Sequence, residues 1–177
     1  QFQKFTFTNL RAPAEHDYLH RFQVIHGQRL SSSRVNYLEG RFTPKASKKG
    51  MSDLLLHILG GYRLYLIQAT GAKATLRPYQ AKLQWVLDEL ENLLLAPHTN
   101  ASQSVHRLAL VAHFIKTPWS ATSDGPYRHY ELDENLRSCA NTLLATLKSY
   151  PNLKDWLRGI DGAANELHAP PDCFASV

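Results

Sequence analysis

The sequence VHRLALVAHFIK, Val105–Lys116, is apolar at nearly every position between Leu108 and Ile115. A strand that is buried on one face alternates apolar and polar residues, whereas a strand buried on both faces is apolar almost throughout. Strands of the second kind are typical of parallel sheets that carry helices on both faces. We therefore expect Val105–Lys116 to be a buried strand of a parallel sheet.

The segments around this strand alternate between helical and extended patterns. Apolar spacing predicts helices over about 14–30, 78–95 and 133–148, and strands over 35–44 and 157–161. Residues 45–50 (KASKKG) suggest a basic surface loop. Residues 51–69 suggest a short helix with Ser52 as its N-cap, a break at Gly60-Gly61, and a second element that the pattern leaves undecided. Strands separated by amphipathic helices indicate a parallel α/β architecture.

Composition narrows the class of protein. Hydrophobic residues make up 44% of the chain and charged residues 20%, which is typical of a globular domain and not of a disordered one. The net charge of +5 is compatible with a nucleotide or nucleic-acid surface, although an ordinary solvated surface explains it as well. Cys139 and Cys173 lack CxxC spacing and are expected to be free thiols in a reducing compartment. With no membrane-length apolar run and no leader sequence, we expect a cytoplasmic protein without membrane contact.

The end of the last strand carries the most unusual pattern. Asp161 follows an apolar run, the small residues Gly162–Ala164 come next, and Asn165-Glu166 follows them. Ligands of parallel α/β folds bind at the carboxyl ends of strands, which also directs attention to Arg41–Thr43 and Lys116-Thr117. Small residues would let backbone amides approach a flat ligand, but spacing alone favours a tight turn in which Asp161 or Asn165 bonds local amides.

The histidines and the charged residues of the strands give weaker indications of a functional site. His16 and His20 have the spacing of paired zinc ligands, but HDYLH lacks the glutamate of HExxH, so surface histidines are the better interpretation. His106 and His113 are seven apart on one strand and should face opposite sides, so they cannot share a metal. Glu39 and Arg41 share a strand face and are expected to pair with each other or with neighbouring strands.

Three segments together resemble the adenosine deaminase family of zinc-dependent hydrolases. VNYLEGRFTPK is similar to the second barrel strand of that family, commonly Val-x-Tyr-x-Glu-x-Arg-[Phe/Tyr]-[Ser/Thr]-Pro. VHRLALVAHFIKTP lies at the position that the third barrel strand of the family would occupy. RGIDGAANELHAPPDCFASV resembles the fourth, Gly-[Ile/Met/Phe]-Asp-Leu-[Ala/Val]-Gly-[Asp/Asn]-Glu. The resemblance implies that residues 1–177 are part of a (β/α)8 TIM-type barrel, about strands 2 to 4 with their helices, with a helical insertion at about residues 50–75.

The resemblance also assigns substrate-binding residues. In the family, the amide of a glycine after the strand donates to a purine ring nitrogen, and flanking acids hold the turn. By position, Ala164 matches that glycine, while Asp161 and Glu166 match the two acids. Two departures stand out: Ala164 adds a methyl group where the family has glycine, and Gly162 replaces the usual leucine.

The zinc-binding motifs of the family are missing from this sequence. His-x-His and His-Ala-Gly-Glu do not occur in the 177 residues, so the zinc ligands and the catalytic glutamate are expected outside this segment. The segment alone is expected to be inactive and to belong to a longer protein. No catalytic residue and no metal ligand is assigned within it.

The implied function is conversion of adenosine, free, in a nucleotide or in RNA, to inosine and ammonia. The divergence of the motifs suggests a bacterial defence-associated adenosine deaminase, which the resemblance ties to homo-oligomeric assemblies. Two alternatives remain open. One is a catalytically silent barrel that binds purine or nucleic acid, and the other is a basic interaction domain in which Lys45, Lys48 and Lys49 contact phosphates.

Overall fold

A computed structural model of the chain describes residues 4–7, 18–26, 37–72, 82–95, 107–121, 125–165 and 167–175. The regular elements, in chain order, are β1 (Lys4–Phe7), α1 (Tyr18–His26), β2 (Tyr37–Phe42), α2 (Lys48–Thr70), α3 (Leu83–Leu95), β3 (Arg107–Ile115), α4 (Tyr130–Ser149) and β4 (Leu157–Ala163). Two 3-10 turns, Pro151–Asp155 and Pro171–Phe174, precede and follow β4.

The strands form a 4-stranded sheet in the order β1-β2-β3-β4, in which β3 and β4 are parallel. Helices flank the sheet, so the predicted α/β class is confirmed, while closure into a barrel stays a prediction. β1 was not predicted, because KFTF is too short a run for a period of two to be recognised. None of the helices in the described part of the chain is both long and apolar enough to cross a membrane.

The chain divides into two compact units, of which the first comprises Gln1–Gly40 and Ser52–Ala109. Its helices pack through aromatic side chains: the ring of Phe22 on α1 lies 5.4 Å from that of Tyr62 and 5.8 Å from that of Tyr65, both on α2. The fully buried guanidinium of Arg63 donates to Glu89 on α3 at 3.1 Å and lies 4.4 Å above the ring of Trp85. This unit therefore combines an aromatic core with a partly buried ion pair.

Helix α2 corrects two local predictions. It runs without interruption through Gly60-Gly61, where a break was expected. It also begins at Lys48, so Lys48–Gly50 form its first turn and not a loop. Ser47, rather than Ser52, is the N-cap, since its Oγ accepts the Gly50 N–H at 3.1 Å.

The contact with α1 explains the glycine at position 61. A Cβ added there would lie 2.6 Å from the Cβ of Tyr18 and 3.1 Å from the backbone nitrogen of Leu19. Gly61 therefore permits close helix packing within the first unit. A glycine pair that was interpreted as a break is a helix–helix contact instead.

The second unit comprises Arg41–Met51 and Leu110–Val177. Helix α4 buries one stripe of its surface and is tied to the segment after β2 by two side-chain hydrogen bonds. Thr142 Oγ1 donates to the Ala46 carbonyl at 3.0 Å, and Cys139 Sγ donates to the Pro44 carbonyl at 3.5 Å. The buried apolar side chains of this unit include Leu132, Leu136, Leu143, Leu153 and Trp156.

Strand β3 is less completely buried than predicted, and β4 is exposed on one face. Leu108–Leu110 are buried in succession, but further along β3 the half-buried residues Val111, His113 and Ile115 alternate with buried ones. On β4, Ile160 is 74% exposed although it belongs to the apolar run. β4 also continues to Ala163, two residues beyond its predicted end at Asp161, so the turn begins later than expected.

Candidate functional site

Three polar side chains from three strands meet in the second unit: Arg41 at the end of β2, His113 on β3 and Asp161 on β4. The strand register places His113 directly beside Asp161, so both project from the same face. His113 Nδ1 lies 3.2 Å from Asp161 Oδ2, and the guanidinium of Arg41 forms an ion pair with the same carboxylate oxygen. The carboxylate is therefore held through one oxygen by side chains of β2 and β3.

This cluster is half-buried, which strengthens the ion pair within it. The side chains of Arg41, His113 and Asp161 are 17%, 15% and 29% exposed. A carboxylate paired with a guanidinium at this depth interacts more strongly than a surface pair, because water screens it less. The arrangement fixes the position of the Asp161 carboxylate and does not resemble a nucleophile–base pair. Arg41 on β2 thus pairs with a residue of β4, which lies beyond β3 in the sheet.

Ala164 follows β4 in a backbone conformation that is unusual for its type. Its φ is 89°, in the left-handed region that favours glycine. An L-residue there costs roughly 1–2 kcal/mol relative to its preferred conformations. The preceding carbonyl of Ala163 is held by the Lys116 N–H at 2.7 Å, so the strand pair fixes the point at which the chain turns.

The turn after Ala164 is stabilised by Asn165. Its Oδ1 accepts the Leu167 N–H at 3.0 Å, and its carbonyl accepts the His168 N–H at 2.9 Å. The local amide bonding that was expected of Asp161 or Asn165 therefore comes from Asn165, while Asp161 bonds side chains of other strands. Glu166, the second predicted acid, lies outside the described residues.

Two further polar groups lie at the carboxyl ends of β2 and β3, where the sequence predicted chemistry. Lys116 is only 5% exposed, and its ammonium lies 5.9 Å above the ring of Phe174. The hydroxyl oxygen of Thr43 is buried and has no hydrogen-bond partner within the described part of the chain. An unsatisfied buried hydroxyl costs roughly 1–3 kcal/mol, which is a common feature of sites that receive a polar ligand.

The described residues do not fit a zinc ion. Among them, no group of at least three His, Cys, Asp or Glu side chains lies close enough to hold a metal. His113 and Asp161 supply two donors, but the contact of Arg41 places a positive charge beside that carboxylate. His16 and His106 lie outside the described residues, and His20 is an exposed residue of α1.

Comparisons with known proteins return no family for this chain. No protein-family model matches it, and no curated protein matches it in sequence. The resemblance to the adenosine deaminase family consequently depends on the three sequence segments quoted above alone.

Proposed function

We propose that this chain is part of an adenosine deaminase-like hydrolase and that the carboxyl ends of β2, β3 and β4 form one wall of its purine pocket. Hydrolytic deamination consumes water, replaces the exocyclic amino group of adenine with oxygen, and releases ammonia. The proposal takes zinc as the cofactor and expects its ligands outside this segment. The residues of this chain then bind and orient the purine and carry none of the bond-making steps.

The observation that carries the proposal is the backbone of Ala164. Its φ of 89° falls at the position where the family pattern has the purine-contacting glycine. A chain that keeps a glycine-like conformation after the glycine has been replaced accepts a local cost of about 1–2 kcal/mol. Residues held in such conformations concentrate at ligand sites, which supports a functional role for this turn.

The ion pair beneath the turn supports the same role. Arg41 and His113 hold Asp161 in place, and β4 ends two residues later at Ala163, directly before Ala164. A turn anchored in this way presents its amides in a fixed direction, which reduces the entropy that a purine ligand loses on binding. Thr43, with its unsatisfied buried hydroxyl, is a second candidate for a ligand contact at this edge.

The proposal is tested with the full-length protein that contains this segment. Zinc-loaded protein is incubated with adenosine, AMP, ATP and oligoadenylate, and release of ammonia and of the inosine product is measured. Turnover of at least one substrate is expected, and turnover of none contradicts the enzyme proposal. Purine binding without turnover would favour the silent binding barrel, and binding of oligonucleotides of any sequence that falls steeply with salt would favour the basic interaction domain.

A substitution at Ala164 tests the assignment of the turn. Ala164→Val should weaken purine binding roughly tenfold, because a β-branched residue is poorly compatible with positive φ and brings bulk towards the ligand. Ala46→Val is a matched control at an exposed alanine before α2 and should leave the affinity unchanged. Equal affinities for both variants and the parent would assign the turn a purely structural role.

A further inference from the structure

A second concave feature lies in the same unit and shares no residue with the cluster around Asp161. It is a cleft of about 110 Å³ between the segment that follows β3 and the beginning of α4. Its lining residues include Thr117, Trp119, Tyr127, His129, Tyr130 and Asn135. Of these residues the sequence pattern indicates only Thr117, at the end of a strand, because the aromatic residues are separated by a polar loop and have no helical or strand period.

The walls of the cleft are aromatic and unusually exposed. Trp119 is 44% exposed and Tyr127 is 52% exposed, although large aromatic side chains are normally covered. The rings of Tyr127 and Tyr130 meet edge to face with centroids 5.3 Å apart, and the guanidinium of Arg128 lies 5.1 Å from the Trp119 ring. Exposed aromatic rings beside an arginine are the arrangement with which proteins stack nucleic-acid bases.

The aromatic wall is held in position by hydrogen bonds. The Tyr127 hydroxyl donates to Asp133 Oδ2 at 2.6 Å, and Arg137 Nε donates to the same oxygen at 3.1 Å. The bond to the Asp133 carboxylate raises the pKa of Tyr127, so its ring remains neutral well above physiological pH. A fixed ring loses little conformational freedom when a ligand stacks against it.

One polar atom of the cleft lacks a partner. The Nδ1 of His129 is buried and makes no hydrogen bond within the described residues. His129 also adopts a φ of 69° at the start of α4, which is a strained conformation for a residue other than glycine. A buried ring nitrogen without a partner is stabilised by any ligand that supplies a donor or an acceptor to it.

The size of the cleft limits what it can hold. Sites for complete small molecules enclose roughly 300–1,000 Å³, whereas a cavity near 150 Å³ accommodates a single six-membered ring. At about 110 Å³, the cleft receives one planar ring and leaves the remainder of the ligand outside. It is therefore too small to be the pocket for an entire nucleoside.

We propose that this cleft is a binding site for a nucleobase, which stacks on Trp119 and hydrogen-bonds to His129 through its edge. The base belongs either to a mononucleotide or to a single-stranded nucleic acid, and in both cases the sugar and phosphate remain outside, near Arg128. This site is separate from the proposed purine pocket and does not depend on deaminase activity. Because stacking tolerates every base but the cleft admits one planar ring, a pyrimidine should enter whole and a purine through one of its two rings.

The test uses the full-length chain and a pyrimidine probe, so that a purine pocket does not contribute. Calorimetric titration with UMP should show binding, and ribose phosphate, which has no base, should not bind. Trp119→Ala should weaken UMP binding roughly tenfold, while Trp119→Phe should retain most of it, since phenylalanine still stacks. Circular dichroism and thermal unfolding establish that the variants remain folded.

Control variants and a longer probe complete the test. Leu144→Ala removes another exposed apolar side chain, one that belongs to α4 but not to the cleft, and should not change UMP affinity. Tighter binding of oligouridylate with a strong salt dependence would identify nucleic acid as the source of the base, whereas equal affinity per base would identify the mononucleotide. The proposal is overturned if ribose phosphate binds as tightly as UMP, if UMP does not bind, or if Trp119→Ala leaves UMP affinity unchanged.

Discussion

At the scale of single residues, two non-glycine positions carry positive φ among the described residues, His129 and Ala164. His129 lines the cleft for which a nucleobase is proposed, and Ala164 directly follows β4 in the proposed purine wall. Neither conformation follows from local sequence preference, because alanine and histidine both prefer negative φ. The surrounding structure imposes them, which is why each is associated here with a binding role.

The strain at Ala164 should be measurable as stability. Ala164→Gly removes a conformational cost of roughly 1–2 kcal/mol but adds roughly 0.5–1 kcal/mol of chain entropy in the unfolded state. We expect a net increase in the free energy of unfolding of about 0.5–1 kcal/mol, read from urea denaturation. Ala145→Gly, in the last third of α4, should have the opposite sign because there glycine only weakens a helix. A loss of stability at both positions would show that Ala164 is unstrained in solution.

At the scale of the element, α2 shows how a local signal was outweighed by packing. Two adjacent glycines lower helix propensity by roughly 1 kcal/mol each, which is why the sequence indicated a break. Burial nearly everywhere from Leu54 to Ile67 keeps the segment helical, and Gly61 allows α1 to approach within contact of the backbone. Burial of apolar surface at about 25 cal/mol per Å² easily exceeds the propensity cost over such a length.

Gly61→Ala distinguishes helix propensity from packing. Propensity alone would stabilise the helix by about 1 kcal/mol, whereas a Cβ placed 2.6 Å from Tyr18 Cβ overpacks the contact at a cost of roughly 1–3 kcal/mol. We expect a net loss of stability, measured as a lower midpoint of urea unfolding. Asp53→Ala, at an exposed position of the same helix, provides the control and should be near neutral. A stabilised Gly61→Ala variant would mean that α1 and α2 are not in close contact.

At the scale of the whole molecule, the buried tyrosines make stability depend on alkaline pH. Burial raises the pKa of Tyr65 to about 12 and raises that of Tyr62 further. In the unfolded chain both phenols titrate near pH 10, so above that pH the unfolded state binds fewer protons than the folded state. Their contribution to stability is complete below about pH 10 and is lost as the pH rises towards the folded-state values.

This linkage predicts that the stability of the parent chain and that of the Tyr65→Phe variant depend differently on alkaline pH. The urea midpoint of the parent chain should fall between about pH 8 and about pH 11, and Tyr65→Phe should reduce that fall, because one phenol no longer titrates. Tyrosinate absorbance recorded during the titration shows when the phenols ionise. An identical pH dependence for the variant and the parent would place the Tyr65 hydroxyl in contact with water.

Much of the architecture was predictable because it follows from short-range periodicity. The alternation of apolar residues placed β3, β4, α3 and α4 correctly to within a few residues, and strand ends identified Arg41, Lys116 and Asp161 as candidates. The same reasoning missed β1, whose run is too short to show a period, and did not predict that Ile160 of the apolar run is exposed on β4.

What the sequence by itself determined is therefore the α/β class, the position of most elements and the strand ends at which polar residues collect. Only the tertiary structure decided that Arg41 and Asp161, 120 residues apart, share an ion pair and that His113 is the neighbour of Asp161 in the register. It also decided that Trp119 and Tyr127 line one cleft. The physical reason is that a pattern of apolar residues records only the period and burial of its own segment. The partners of a side chain depend on strand register and helix packing, which are set by contacts between distant parts of the chain.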